Sequence, residues 1–123
     1  MSYSELRRFR RAQLGSDYFI HFHVNGRFFF GIRLLSLGVG GCSAKVPQML
    51  SESLQTDSPL SRIHLVHPDL PKTQLRGRIA WVRALPRNLA DTSVEVGIEF
   101  QDMEPEFMDV VDAHILQLLK QPI

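Results

Sequence analysis

Asn25-Gly26 constrains this chain more than any other pair of residues, because it sits between two stretches of strand-like alternation. A two-residue hairpin turn needs positive φ at both central positions, and Asn followed by Gly tolerates that best. Before the pair, Tyr18, Ile20, Phe22 and Val24 fall on one face, and Phe19, His21 and His23 on the other. After it, residues 27–36 read as the return strand. Phe28, Phe30, Ile32 and Leu34 then share one face, and Arg27, Gly31 and Arg33 the other, as period-two patterning requires.

The same signals recur downstream. Leu37–Gly41 predicts a break, and Cys42–Val46 a short third strand. Residues 47–60, bounded by Pro47 and Pro59, read as a loop with room for one helical turn. Arg62–Val66 is a fourth strand, and Pro68 and Pro71 mark a turn. Residues 73–84 form a fifth strand, with Leu75, Ile79 and Trp81 in phase and Trp81 therefore expected in the core. In residues 93–100, Val94, Val96, Ile98 and Phe100 point one way and Glu95, Gly97 and Glu99 the other. The tail changes period. Pro105 suits the first turn of a helix, Glu104, Glu106 and Asp109 suit its positive end, and Phe107, Val111, Ile115 and Leu118 form one apolar stripe. The expected fold is mainly β: a six-stranded antiparallel barrel closed by a C-terminal α-helix. Residues 1–16 are expected to be a flexible basic arm, 17–103 the barrel and 104–123 the helix, in one domain.

The 123 residues suffice for one core that needs no staple, burying roughly two-thirds of the unfolded chain's surface. A single cysteine, Cys42, excludes an internal disulfide framework and a multi-cysteine zinc site. Uncharged apolar runs fall short of a membrane span, and the N-terminus enters arginines without a signal core, so a cytoplasmic location with no membrane partner is expected. The net charge of +1 hides an asymmetry. Residues 1–33 carry a net +4, 34–84 a net +3 and 85–123 a net −6. A basic front suggests an anionic ligand; the plainer reading is a solvated surface.

Two segments break the pattern. Arg7-Arg8-Phe9-Arg10-Arg11 precedes the first strand. Guanidinium forks donate paired hydrogen bonds to phosphate and to the O6/N7 edge of guanine. The second is Leu34-Leu35-Ser36-Leu37-Gly38-Val39-Gly40-Gly41, where Ser36 can donate to a phosphate and glycines let backbone approach a ligand. Alone, the first reads as a solvated tail and the second as a tight barrel turn.

In this order and spacing, the two segments resemble the PilZ family, the bacterial receptor domain for cyclic di-GMP. Arg7 and Arg11 match its Arg-x-x-x-Arg motif, and Ser36–Gly41 is similar to its Asp/Asn-x-Ser-x-x-Gly motif. Gly77–Val82 and Val96–Phe100 match its later strands, and Ile115-Leu116 falls in its closing helix. The resemblance implies a ligand site of Arg7, Arg8, Arg11, Ser36, Gly38, Gly40 and Gly41 that grips cyclic di-GMP, as one molecule or a stacked pair, with no further cofactor. It also implies an arm that orders around the ligand and is read by a downstream protein. Two positions depart from the motif. Leu34 stands where the family has Asp or Asn, and Val39 where it has Gly, with Gly40 one residue late. A Leu cannot bond a guanine N–H edge, and such a loss costs roughly 1–3 kcal/mol. These departures keep a second expectation open: a degenerate domain that binds no nucleotide and acts as a protein adaptor in pilus or motility regulation.

Other chemistry is thin. His21 and His23 share a strand face without a third ligand at a recognisable spacing, so they read as surface histidines. Ser36 lies in no Gly-x-Ser-x-Gly elbow, Cys42 has no motif-level His, and Gly38–Gly41 lacks the Lys-Ser/Thr of an NTPase loop. No enzyme is expected. A nucleic-acid platform around Trp81 and Arg76, Arg78 and Arg83 is the least favoured reading, given the acidic last third.

Overall fold

The computed structural model describes residues 10–84 and 92–120. Among them the strands are β1 (Arg11–Gln13), β2 (Phe19–Val24), β3 (Arg27–Gly38), β4 (Gly41–Pro47), β5 (Pro59–Val66), β6 (Leu75–Ala84) and β7 (Ser93–Gln101), followed by helix α1 (Pro105–Lys120). A 3-10 turn, Gln48–Ser53, occupies the loop after β4.

All neighbouring strands are antiparallel, in the order β1-β3-β2-β5-β6-β7-β4, and a β3–β4 pairing closes β2–β7 into a six-stranded barrel. Closure depends on the length of β3. Its Arg33 is opposite Phe19 of β2 and also opposite Lys45 of β4, so β2 and β4 lie on its two edges. Where β2 ends, β1 takes over, with Arg11, Ala12 and Gln13 opposite Gly38, Leu37 and Ser36. The β2–β3 connection is the two-residue turn expected, with φ of 50° at Asn25 and 78° at Gly26. The expected break at Leu37–Gly41 is smaller than its glycine content suggests: β3 runs through Gly38, and only Val39-Gly40 turns.

Bulges decide which side chains enter the barrel. Ile20 and Phe22 of β2 face Ile32 and Phe29 of β3, so His21 opposes two residues, Phe30 and Gly31. Gly31 takes φ of 67°, a left-handed conformation that glycine adopts without a Cβ clash. The extra residue reverses the phase: Phe29 is buried with Ile32, while Phe28 and Phe30, expected on one face with Ile32, stand outside. A second bulge, between Ile79 and Trp81, leaves Ile79 inside and turns Trp81 out of the expected core. Leu75, Val94, Val96, Ile98 and Phe100 point inward as their alternation requires.

Helix α1 begins with Pro105, whose missing N–H costs nothing at a first helical position. Its buried residues, Phe107, Val111 and Ile115, are spaced at one turn and cover the barrel beside β1 and β3. Burying each contributes about 1.5–3 kcal/mol. Phe107 meets Phe100 of β7 edge to face at 6.1 Å between ring centroids.

Candidate ligand site

Residues directly opposite one another in an antiparallel pair share a face of the sheet. The register therefore lines up two rows on the outside of the barrel. One runs Arg11–Gly38–Gly41–Glu99–Arg78. The next runs Gln13–Ser36–Ser43–Gly97–Trp81. Together they form a strip of glycines and serines, with Glu99 next to Arg78, bounded by Arg11 and Gln13 on one side and by Trp81 and Arg78 on the other.

Arg11 lies along Gly38. A Cβ at Gly38 would be 3.2 Å from both Cγ and Nε of Arg11, and 3.3 Å from the Arg10 carbonyl oxygen. Gly38 thus leaves the space that the arginine stem fills. The guanidinium charge also reaches Cys42, one residue past Gly41. Burial pushes the Cys42 thiol up to about 12 despite the opposing pull of Arg11, so this cysteine stays protonated and inert.

Ser36 is buried and its Oγ lies 2.6 Å from Oγ of Ser43. One hydroxyl proton makes that bond, which leaves the other O–H to donate elsewhere. Gly40 is in the turn, and its carbonyl accepts from the Phe100 N–H at 2.9 Å. A Cβ at Gly41 would overlap the Ile98 carbonyl oxygen, so the close approach of β4 to β7 is sufficient reason for that glycine. Trp81 covers Gly97 so closely that a Cβ there would overlap the indole, and Arg83 lies over the same ring at 5.0 Å.

Charge pairing separates the arginines. Arg78 is shared between Glu99, at 3.2 Å, and Asp57; Arg83 bonds Glu95 at 2.8 and 3.0 Å; Arg10 pairs with Asp112 of α1 at 3.2 Å. Arg11 has no carboxylate partner among the described residues. The expected site residues Arg7 and Arg8 lie outside the described residues. Of the others, Arg11, Ser36, Gly38 and Gly41 come together on the outer strip, with Gly40 in the adjoining turn.

Leu34 is fully buried opposite Ala44, inside the barrel. Between Leu34 and Ser36 the register slips by one residue, so Leu34 points in and Ser36 points out. The two motif positions are on opposite faces, and Leu34 is a core residue, as its phase with Ile32 allows. Gln13, at one end of the strip, escaped the sequence reading because nothing marks a three-residue strand; Trp81, at the other end, was weighed as a stacking platform but expected in the core, and a bulge reverses its phase. Among the described residues, no group of three His, Cys, Asp or Glu side chains could hold a metal ion, and no helix is long and apolar enough to cross a membrane.

The PilZ domain family model matches residues 5–117. Among curated proteins no relative matches. The PilZ domain of YcgR from Escherichia coli, solved with c-di-GMP, superposes with a TM-score of 0.75 at 16% identity, covering 93% of this chain and 92% of that one. MrkH, described as a c-di-GMP-dependent transcription regulatory factor, superposes with a TM-score of 0.75 at 15% identity over 94% of this chain and 52% of its own. The K. pneumonia MrkH–c-di-GMP complex gives 0.72 at 17%, covering 92% of this chain and 52% of that one. The chain thus spans about half the length of MrkH. Likeness at this identity concerns the fold.

Proposed function

The chain belongs to the PilZ domain family, and from that premise we propose that it is a receptor for cyclic di-GMP, taken as one molecule or as a stacked pair. Arg11, with Arg7 and Arg8 of the arm, grips phosphates and guanine edges. Ser36 and the backbone of Gly38, Gly40 and Gly41 form the floor. The arm orders around the ligand, and a downstream protein reads that change. The observation that carries the reading is Arg11, laid along Gly38 beside the Ser36–Ser43 pair with no carboxylate partner among the described residues. The domain acts by binding and performs no catalysis.

A second reading, a protein adaptor that binds no nucleotide, is favoured by one observation. Leu34 points into the core and offers no hydrogen-bonding group to guanine. Calorimetric titration with cyclic di-GMP, beside GTP as control, separates the two. A receptor gives saturable heat with the cyclic dinucleotide alone, with a stoichiometry that counts the ligand, and an Arg7→Ala/Arg11→Ala double variant abolishes it. Absence of heat at high protein concentration, or unchanged binding by the double variant, overturns the receptor reading.

A further inference from the structure

Four of the seven large hydrophobic side chains left exposed among the described residues lie on one wall of the barrel, away from the strip of small residues. On β3 these are Phe28 and Phe30, 52% and 69% exposed; beside them are Phe19 of β2 and Val66 of β5. The register groups them. Phe19 is opposite both Arg33 and Val66, His21 is opposite His64, and His23 is opposite Phe28 and Ser61. The wall is therefore a contiguous field of aromatic rings and imidazoles rather than scattered exposed residues.

The rings are held before anything binds. Phe30 stacks on His21 at 4.0 Å with planes 14° apart, and His23 meets Phe28 at 4.6 Å. The Gly31 N–H donates to Nδ1 of His21 at 2.9 Å, which ties the stack to the bulge that turned Phe30 outward. Pre-ordered side chains lose little entropy on binding. Beside the stack, a groove of about 760 Å³ lies over β2 and β5, lined by Phe19, His21, His64, Val66 and Lys72. Its size suits one or two large apolar side chains.

Charge and area select the occupant. Arg33, Arg62 and Lys72 surround the wall, and none has a carboxylate partner among the described residues. Asp17 is the acid that lines the groove, and it is engaged by His67 Nε2 at 3.2 Å. Three cations therefore surround a centre of aromatic rings and imidazoles. Three strands at ~4.8 Å and three rows at ~6.7 Å give a wall of only about 300 Å² once side-chain width is included. A stable dimer buries about 800 Å² per partner, whereas one chain segment fits the smaller area. Because β2 is bonded on both edges, the segment is held by side chains and not by strand addition.

We propose that the β3–β2–β5 wall is a docking site for a protein segment that presents aromatic or aliphatic side chains flanked by carboxylates. The apolar side chains fill the groove and cover Phe28 and Phe30, and the carboxylates pair with Arg33, Arg62 and Lys72. The site shares no residue with the nucleotide strip, so it stands whether or not cyclic di-GMP binds.

The test is selection from a random-peptide display library on the full chain without nucleotide, followed by anisotropy titration of synthetic winners. Winners should combine Phe, Trp or Leu with Asp or Glu. Phe30→Glu should weaken them at least tenfold, Arg33→Glu should weaken them in a salt-dependent way, and Phe30→Leu should retain most of the affinity. Thermal melting verifies the fold of each variant, and Phe28→Ser serves as a second probe of the wall. Winners without acidic residues, winners that bind Phe30→Glu as well as the parent, or no enrichment at all would overturn the proposal. So would a concentration-dependent dimer in sedimentation that Phe30→Glu dissolves, which would give the wall to a second copy of the chain.

Discussion

Arg11 and Gly38 are opposite one another across β1 and β3, and the arginine stem occupies the space that any larger residue at 38 would need. A β-carbon there would press on two Arg11 atoms at 3.2 Å and on the Arg10 carbonyl at 3.3 Å. The side chain can give way more easily than the backbone, so substitution should move the guanidinium rather than unfold the barrel. Gly38→Ala is expected to lower cyclic di-GMP affinity about tenfold, or about 1.4 kcal/mol. Calorimetry beside a melting curve measures both effects. Unchanged affinity would mean that the position of Arg11 is irrelevant to binding.

Leu34 provides a stability prediction. It is fully buried, and Leu34→Ala should destabilise the barrel by about 2–5 kcal/mol. Leu34→Asp, which would restore the family's acidic residue, places a carboxylate among apolar neighbours and should be worse still, with no gain in nucleotide binding. Urea unfolding of both variants measures the cost. A folded Leu34→Asp protein with improved affinity would show that the side chain can turn outward.

Trp81 is the chain's one tryptophan, so its fluorescence reports the far end of the strip. Gly97→Ala must displace the indole, because the added methyl would overlap its ring. The expected result is a red-shifted emission maximum and a loss of about 1–3 kcal/mol of stability. An unchanged spectrum would contradict the stacking of Trp81 on Gly97.

His114 makes stability depend on pH. Its Nε2 lies 2.6 Å from the Tyr18 hydroxyl, and Tyr18 stacks on His67 at 3.9 Å. Burial, then the nearby His67, lowers the His114 pKa from its ordinary 6.5, while Asp69 and Asp17 pull the other way. A histidine whose folded pKa is depressed binds its proton more readily when unfolded. Its contribution is therefore complete above 6.5 and is lost as pH falls below 6.5 toward the folded value. Urea midpoints at about pH 7.5 and pH 5.5 should show a drop in the parent that is smaller in His114→Gln. Equal drops in both would remove His114 as the cause.

Much of this architecture was legible from residue order. The Asn25-Gly26 turn needs only local backbone preference, and it formed as expected. The inward set of β7 and the buried stripe of α1 follow from uninterrupted periods of two and of one helical turn. The misplaced residues cluster at bulges. By strict alternation Phe28 and Phe30 shared a face with Ile32 and Trp81 belonged to the core, and one extra residue in β3 or β6 turned each outward. A bulge carries little local signature: Gly31 was visible, but its positive φ is set by the pairing with β2.

The candidate site divides in the same way. The identities of Arg11, Ser36 and Gly38 and the family to which they point are properties of the sequence, because a motif is order and spacing. Their union on one outer strip, the diversion of Leu34 into the core and the bonding of Ser36 to Ser43 are products of barrel closure. That closure joins strands distant in sequence, and the register of each join selects the face every side chain takes. Local propensity determined what the elements are; cross-strand pairing, through bulges of a single residue, decided which chemistry faces water.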